Sequence, residues 1–358
     1  MFKINLDNQP AIKKADPNQV AISVANLPQQ LSAAYTAAKK TKLPAGFGQA
    51  QNIVFCGMGG SNLASELIKR VFGSQIKVPF VLVRGYHLPA FTNSKTLAII
   101  SSYSGNTEET LSCLNQAIKA KAKTVIITSG GQLEKLAKKY RLPCFLIDPK
   151  FNPSGQPRYD VGSQLGVTLA IFAKLKLIKI TDAEISQAAA DLVALGFTLL
   201  PDSPTAKNSA KQLAEKLYQK NLYLISAEHL SANSHILANQ INESAKQLAN
   251  PYRLPELNHH LLEALSNPAK VIKETAFVFI ASASYSPQIK ARIAATQKVL
   301  KQQGVAYYNL EFKAGTPLTE SLKLVMTGSW LSFYLAMLNK VNPASIPWVE
   351  MLKKELGK

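Results

Sequence analysis

Short apolar runs alternate with amphipathic stretches through the first half of the chain. The apolar runs have the length of buried strands and lie at residues 53–56, 79–83, 97–100, 124–128 and 144–147. The stretches between them have helical periodicity. Strands that alternate with helices of this length predict an α/β fold with a parallel sheet covered on both faces. Because crossovers are right-handed, we expect a doubly wound sheet whose ligands lie beyond the carboxyl ends of its strands.

The second half of the chain repeats this pattern in outline. Its apolar runs begin at Leu222, Phe277 and Val305, and they correspond in order to the runs that begin at Ile53, Leu97 and Thr124. The intervals between corresponding runs are similar, with a modest difference in length early in the copy. This repetition predicts two copies of one doubly wound α/β domain in tandem, a flavodoxin-like sandwich.

Proline, glycine and polar segments mark the predicted boundaries. Residues 1–50 form a polar extension that is helix-prone around 18–40, residues 51–157 form the first domain, and residues 158–340 form the second domain with linking helices. An apolar helix at about 318–338 is core or dimer interface. Residues 341–358 end in a short helix that starts near Pro347.

The length and composition of the chain limit the classes of protein to which it can belong. With 358 residues the chain fits two ordinary domains, and 47% hydrophobic residues suffice for two cores. It has no run of eighteen apolar residues and no secretory signal, so we expect a soluble, cytoplasmic protein without a membrane partner. The three cysteines stand singly, which favours buried thiols over disulfides or metal ligands.

The charge balance is strongly basic. The chain has 41 Lys and Arg against 22 Asp and Glu, a formal net charge of +19. These cations are dispersed along helical stretches, and no basic run interleaved with aromatic residues marks a nucleic-acid groove. We therefore expect no nucleic-acid partner, and a basic surface that attracts anionic metabolites.

The stretch Ser101–Thr110 has the composition of an anion-binding corner. Clustered hydroxyls and a glycine follow a buried strand, and Glu108 and Glu109 begin a helix. The backbone N–H groups of a helix N-terminus, with Ser and Thr hydroxyls beside them, coordinate phosphate without a lysine. Ordinary N-capping by Ser104 or Thr107 accounts for the same residues and stays open at this point.

A second glycine-rich turn, Gly-Met-Gly-Gly-Ser-Asn at 57–62, follows the first strand. Glycines there allow a close approach of backbone to ligand, although a tight turn alone also uses them. The dinucleotide fingerprint does not fit, because no third glycine follows at its spacing. The second copy has neither loop sequence, so we expect only the first copy to hold an anion.

Candidate acid–base groups lie in the second half of the chain. Glu243 falls in a helix, and His259 and His260 follow a proline-containing loop. A carboxylate and an imidazole together can transfer protons at neutral pH, but a helix-face Glu and a loop His are also common without function. Adjacent histidines on an extended segment point apart, which disfavours a shared metal ion, and no Gly-x-Ser-x-Gly elbow indicates a serine nucleophile.

Four stretches together resemble the bifunctional phosphoglucose/phosphomannose isomerase family, whose members consist of two SIS (sugar isomerase) domains. They are FCGMGGS at 55–61, SYSGNTEET at 102–110, NESAK at 242–246 and PELNH at 255–259. The resemblance covers nearly the whole chain in the expected order. The Ser-Tyr-Ser-Gly-Asn-Thr stretch is common to many SIS domains, whereas the last two stretches are more specific to this family.

The resemblance implies an aldose-ketose isomerase that uses neither metal nor cofactor. Glu243 resembles the base that moves a proton between C1 and C2 through a cis-enediol. His259 resembles the ring-opening group, which in such homodimers comes from the neighbouring subunit. Lys353, or its neighbour Lys354, resembles the lysine at the ring oxygen, and Arg158 resembles the arginine that steadies the enediolate. The implied phosphate ligands are Gly59, Gly60, Ser61, Ser102, Ser104 and Thr107.

The chain departs from the family pattern at a few positions. His260 replaces a usual Asn, residues 62–65 (Asn-Leu-Ala-Ser) replace small and acidic residues, and Ala344-Ser345 stands where members that act on both sugars carry Thr-Pro. The implied substrates are therefore glucose 6-phosphate and fructose 6-phosphate, with the mannose reaction left open. A phosphosugar-sensing SIS protein is the alternative, although such regulators add a DNA-binding region. A hexosamine synthase would need an N-terminal glutaminase region.

Overall fold

The computed structural model describes residues 4–313 and 315–357. The chain packs as two compact units. The first unit is Asn26–Leu192, and the second unit combines the described residues before Asn26 with those from Val193 onward. The division differs from the predicted domain boundaries, since residues 158–192 pack in the first unit and the segment before Asn26 packs in the second.

In chain order, the elements up to residue 199 are α1 (Gln9–Ala15), α2 (Val20–Ala25), α3 (Leu27–Lys40), β1 (Asn52–Cys56), α4 (Leu63–Val71), β2 (Phe80–Val83), β3 (Thr96–Ser101), α5 (Glu108–Lys119), β4 (Lys123–Thr128), α6 (Gly131–Tyr140), β5 (Cys144–Leu146), α7 (Val161–Lys174) and α8 (Asp182–Leu199). The helix-prone stretch at 18–40 is thus broken, because α3 begins anew with Pro28 in its first turn.

The later elements are α9 (Ser209–Leu217), β6 (Asn221–Ser226), α10 (Ser231–Gln240), β7 (Ala249–Arg253), α11 (Ala269–Lys273), β8 (Thr275–Ser282), α12 (Pro287–Gln302), β9 (Ala306–Phe312), α13 (Pro317–Leu338) and α14 (Pro347–Glu355). A π-helical turn at Ile241–Ala245 continues α10.

The first unit is built on a parallel sheet with strand order β2-β1-β3-β4-β5. One face buries aliphatic side chains of the central strands, Val54, Ala98, Ile100 and Ile126. This is the predicted doubly wound sheet.

Helix α3 packs along α7 in the first unit. Its Gln30, which is fully buried, donates hydrogen bonds to the carbonyls of Tyr159 at 2.9 Å and Phe151 at 3.1 Å. These contacts are why the segment leading into α7 belongs with the first sheet rather than the second.

The second unit contains a parallel sheet with order β7-β6-β8-β9, which repeats the order of the first four strands of the first sheet. Two copies of one α/β architecture are confirmed. The strand registers correct the predicted correspondence in one place. Asn52 lies opposite Thr96 and Asn221 lies opposite Thr275, so the counterpart of Leu97 is Ala276 rather than Phe277.

Strand β7 was not among the predicted strands. Pro251 interrupts it and pairs with Leu224 of β6 at the edge of the sheet. A proline cannot donate to a strand ladder, but an edge strand tolerates it on its unpaired side.

The apolar helix α13 is the core helix of the second unit. It has the length and composition of a membrane span, yet 94% of its most apolar window is buried within the protein. Trp330, Phe333 and Tyr334 stack or contact edge-on along it. Of the two predicted roles, core and dimer interface, its burial supports the core.

The cysteines are free. Cys56 and Cys113 are buried as predicted, and Cys144 is half-buried. Burial raises the pKa of the Cys144 thiol to about 11, so this group is protonated at neutral pH.

Candidate functional site

Two loops meet at the carboxyl edge of the first sheet. Residues 57–62 follow β1 and residues 102–107 follow β3, and these strands are neighbours in the sheet. We call the space between the two loops the first crevice. It lies where doubly wound sheets bind their ligands.

A hydrogen bond joins the two loops directly. The Ser61 hydroxyl accepts from the backbone N–H of Tyr103 at 2.9 Å, and both residues are buried. Ser61 lies in a single 3₁₀ turn, Gly59–Asn62, that leads into α4. The glycine turn and the hydroxyl loop are thereby held as one structure.

The hydroxyls of the second loop do not act as ordinary caps. Thr107 is the N-cap residue of α5 but makes no side-chain capping bond. Its hydroxyl instead pairs with that of Ser102 at 2.8 Å, and Ser102 Oγ also accepts from Gly105 N at 3.2 Å. Ser104 is exposed, and its hydroxyl accepts from Asn106 N at 3.3 Å. The capping alternative is therefore disfavoured.

Gly105 fixes the second loop against the strand behind it. It has a φ of +69°, and a Cβ there would lie 1.9 Å from the carbonyl oxygen of Gly130. The loop carbonyls of Tyr103 and Gly105 accept from Ser129 N at 3.0 Å and Leu133 N at 2.9 Å. No larger residue fits without moving this loop, so its hydroxyls and N–H groups are held in place before a ligand arrives.

Arg158 lies beside the glycine turn. A Cβ on Gly60 would be 3.1 Å from the backbone nitrogen of Arg158, so the two segments are in close contact. The Arg158 side chain is only 2% exposed, donates to Gln156 Oε1 at 2.8 Å and lies over the ring of Tyr159. The structure thus brings a buried cation to the same edge of the first unit as the predicted phosphate ligands.

Asp160 is a buried carboxyl at this edge and was not among the predicted site residues. It is fully buried, its Oδ1 accepts from Ser163 Oγ at 2.5 Å, and its Oδ2 has no hydrogen-bond partner among the described residues. Burial raises its pKa to about 7, and the nearby carboxylate of Asp148 adds to the shift. The pair Arg-x-Asp before a buried helix is the signal that could have drawn attention to it.

Glu243 lies in the second unit, in the π-helical turn that ends α10. Single π-turns are uncommon and occur often at functional sites. The turn is held from both sides, since the Asn242 side chain donates to Ala249 O and accepts from Ala249 N at 2.8 Å, and Asn339 donates to Ala245 O at 2.9 Å. Glu243 itself is half-buried in this turn.

His259 ends a short 3₁₀ turn, Glu256–His259, and is exposed like His260. The turn is fixed by its neighbours: Leu257 is buried in the core of the second unit, and Asn258 donates to Thr296 Oγ1 at 2.8 Å. A rigid turn therefore presents the His259 imidazole outward.

Lys353 and Lys354 lie in the last turn of α14, and both are exposed. This helix has no buried residue, and its Trp348 is 78% exposed. Among residues 4–313 and 315–357, no three His, Cys, Asp or Glu side chains are grouped as a metal site would require.

The predicted site residues thus fall into two sets. Gly59, Gly60, Ser61, Ser102, Ser104, Thr107 and Arg158 come together at the sheet edge of the first unit, and Glu243, His259 and Lys353 lie on three different elements of the second unit: the π-helical turn, the turn Glu256–His259 and α14.

Comparison with known proteins gives matches over both halves of the chain. Residues 47–140 match the SIS domain, and residues 206–356 match the bacterial phospho-glucose isomerase C-terminal SIS domain. The chain is 32% identical over 340 residues to the bifunctional phosphoglucose/phosphomannose isomerase of Caldicellulosiruptor bescii, covering 94% of this chain and 98% of that protein.

A protein of the same description from Aquifex aeolicus is 30% identical over 312 residues, covering 86% of this chain and 91% of that protein. Among solved structures, a hypothetical protein from Thermus thermophilus has a TM-score of 0.75 at 18% identity, covering 97% of this chain and 93% of that one. This structural likeness supports the fold alone.

Proposed function

Because the chain belongs to the bifunctional phosphoglucose/phosphomannose isomerase family, we propose that it interconverts glucose 6-phosphate and fructose 6-phosphate, and also accepts mannose 6-phosphate. The observation that carries this proposal is the 32% sequence identity to the Caldicellulosiruptor bescii isomerase, which extends over 94% of this chain. The reaction moves hydrogen within one molecule, so it consumes no oxidant or reductant.

The phosphate of the substrate binds in the first crevice. The turn at Gly59 and Gly60 supplies backbone groups, and Ser61, Ser102, Ser104 and Thr107 supply hydroxyls. Support comes from the bond that fixes the two loops together and from the absence of capping by Thr107. The N-terminus of α5 adds a favourable field for a dianion.

Glu243 acts as the general base. Its carboxylate takes the proton from C2 of the open-chain aldose, and the resulting cis-enediol regains a proton at C1 to give the ketose. Arg158 stabilises the negative charge that develops on the enediolate oxygen. Support for Glu243 comes from its place in a π-turn that is held from both sides, a feature typical of functional residues.

His259 opens the sugar ring, and Lys353 assists at the ring oxygen. We propose that the protein is a homodimer in which His259 serves the active site of the neighbouring subunit. Two features support this: a rigid turn presents His259 outward, and α14 exposes apolar side chains, among them Trp348, Met351 and Leu352. Exposed apolar residues on one helix mark a contact with another protein surface.

The proposed location of the activity is the cytoplasm, where phosphorylated hexoses are the substrates of central carbohydrate metabolism. The basic surface is consistent with an anionic substrate.

A coupled assay tests the proposal. Purified protein is given fructose 6-phosphate, glucose 6-phosphate and mannose 6-phosphate in turn, and binding of each is measured in parallel by calorimetry. We expect turnover of the first two and a measurable rate with the third. Binding of sugar phosphates without turnover of any of them would replace the enzyme with a phosphosugar-binding protein.

A further inference from the structure

Two loops also meet at the carboxyl edge of the second sheet. Residues 227–230 follow β6 and residues 283–286 follow β8, which are neighbours in that sheet. We call the space between them the second crevice. By strand register, Asn221 of β6 corresponds to Asn52 of β1, and Thr275 of β8 corresponds to Thr96 of β3. These pairs allow the two crevices to be compared position by position.

Glu228 holds the position of Gly59 in this correspondence. Glu228 lies as far along the chain from Asn221 as Gly59 lies from Asn52, each begins a 3₁₀ turn, and their φ angles are +44° and +48°. Glycine adopts this left-handed conformation readily, whereas a glutamate in it is unfavourable and needs compensation. The second unit thus keeps the backbone of the glycine turn but places a charged side chain on it.

The Glu228 carboxylate binds the start of α12. It accepts from the Ser286 hydroxyl at 2.6 Å, and both its oxygens accept from the Ser286 backbone N–H at 3.3 Å. Ser286 is the N-cap residue of α12 and corresponds by register to Thr107, the N-cap residue of α5. In the first crevice the residue matched to Glu228 is Gly59, which has no side chain.

A second carboxylate lies deeper. Glu320 is fully buried and accepts from Ser282 Oγ at 2.6 Å and from Ser284 Oγ at 3.4 Å, and His229 Nε2 lies 2.7 Å from its Oε2. Both serines are in or beside the loop after β8. The carboxylate therefore collects hydroxyl and imidazole contacts of the kind that a bound anion would receive.

Glu320 also has a counterpart in the first unit. It is the fourth residue of α13, as Gln164 is of α7. Each of these helices follows the last strand of its sheet and packs on the helix that precedes the sheet, α9 for α13 and α3 for α7. At the two matched positions, the first unit has Gly and Gln where the second has two glutamates.

We propose that the second crevice is an anion site that the chain fills with its own carboxylates, Glu228 and Glu320. The Glu228 carboxylate binds the N-terminus of α12, where a ligand anion would otherwise bind. Glu320 accepts hydrogen bonds from the hydroxyls of Ser282 and Ser284 in the loop after β8. Two negative charges there repel a phosphate dianion, so a substrate phosphate binds only in the first crevice. The inference rests on the proposed function in one respect: the first crevice, with which the second is compared, is the proposed site of the substrate phosphate.

Restoring the residues of the first unit tests this inference. The double variant Glu228→Gly, Glu320→Gln removes both charges and the blocking side chain. Titration calorimetry with inorganic phosphate should give one more phosphate bound per chain than in the wild type. An equal number in both proteins would overturn the inference. The test uses the difference in bound phosphate between the double variant and the wild type. If the first crevice did not bind phosphate, both numbers would fall equally and this difference would not change.

If the double variant does not fold by circular dichroism, the single variants decide. Glu228→Gly opens the start of α12, whereas the matched control Glu228→Gln removes the charge but still fills the space. Added phosphate should raise the melting temperature of Glu228→Gly by more than that of the wild type or of Glu228→Gln. The same rise in all three proteins would count against an internally filled anion site.

Discussion

The Ser61 hydroxyl accepts a hydrogen bond from the backbone N–H of Tyr103 at 2.9 Å, and this bond connects the loops after β1 and β3. Both residues are buried, so Ser61→Ala leaves an N–H without its partner. We expect a loss of roughly 1–3 kcal/mol in the free energy of unfolding. The KM for fructose 6-phosphate should rise as well, because the loops no longer hold their spacing. Urea unfolding and steady-state kinetics measure the two effects.

Ser104→Ala is the matched control for Ser61→Ala. Ser104 is exposed, and its hydroxyl makes a long local contact with Asn106 N at 3.3 Å. Its removal should raise KM while the unfolding free energy changes by less than about 0.5 kcal/mol. If both variants destabilise the protein equally, the Ser61 bond does not have the structural role assigned to it.

Glu243→Gln should abolish proton transfer while leaving the substrate phosphate bound. The amide keeps the size of the side chain in its π-turn but cannot take a proton from carbon. We expect kcat to fall by roughly 10²–10⁴-fold, the usual contribution of a general base. Calorimetry with fructose 6-phosphate should give an affinity close to that of the wild type. Turnover near the wild-type rate would remove Glu243 from the mechanism.

Asp160 should make stability fall as pH rises. Its pKa is about 7 in the folded protein against 3.8 in the unfolded chain, because burial penalises the charged carboxylate. Folding therefore favours the protonated form of Asp160. The stability that this protonation contributes is fully present below the unfolded-state pKa of 3.8 and is lost as the pH rises through the folded-state pKa of about 7. Between pH 5 and pH 8 this group should cost the wild type about 3 kcal/mol of unfolding free energy.

Asp160→Asn removes this dependence, since an amide cannot ionise and still accepts from Ser163. Urea unfolding at pH 5 and pH 8 should show a smaller decline in the variant than in the wild type. Parallel pH profiles in the two proteins would mean that Asp160 does not titrate in this range.

The periodic strands and the glycine and hydroxyl loops were predictable because their signals are local. The strand β7 was not, since Pro251 hides an edge strand whose pairing with β6 depends on the rest of the sheet. The domain boundaries were equally hard to derive, because the contact of Gln30 with the carbonyls before α7 joins segments far apart in the chain. Asp160 and Glu320 were missed for a similar reason: their burial follows from packing, and only burial makes these carboxyls unusual.

Lys211 should contribute strongly to the stability of the second unit. Its ammonium group is fully buried and donates to Asp7 Oδ1 at 2.9 Å and to the carbonyls of Pro201 at 2.7 Å and Ser203 at 2.8 Å. Lys211→Met fills a similar volume but strands these acceptors, at a cost of roughly 2–4 kcal/mol. Asp7→Asn is the milder control, because Asp7 is half-exposed and regains water. Equal effects of the two variants on urea unfolding would contradict this assignment.

His259 and Glu243 should complement each other between subunits. If His259 serves the neighbouring active site, a His259→Ala subunit paired with a Glu243→Gln subunit has one intact site, composed of the wild-type Glu243 of the first and the wild-type His259 of the second. Each homodimer alone has none. Random reassembly of equal amounts makes half of the dimers mixed, so about a quarter of the wild-type activity should return. Mixing after mild denaturation, followed by the fructose 6-phosphate assay, measures this recovery. Without recovery, although size-exclusion chromatography shows mixed dimers, His259 would have to act within its own subunit.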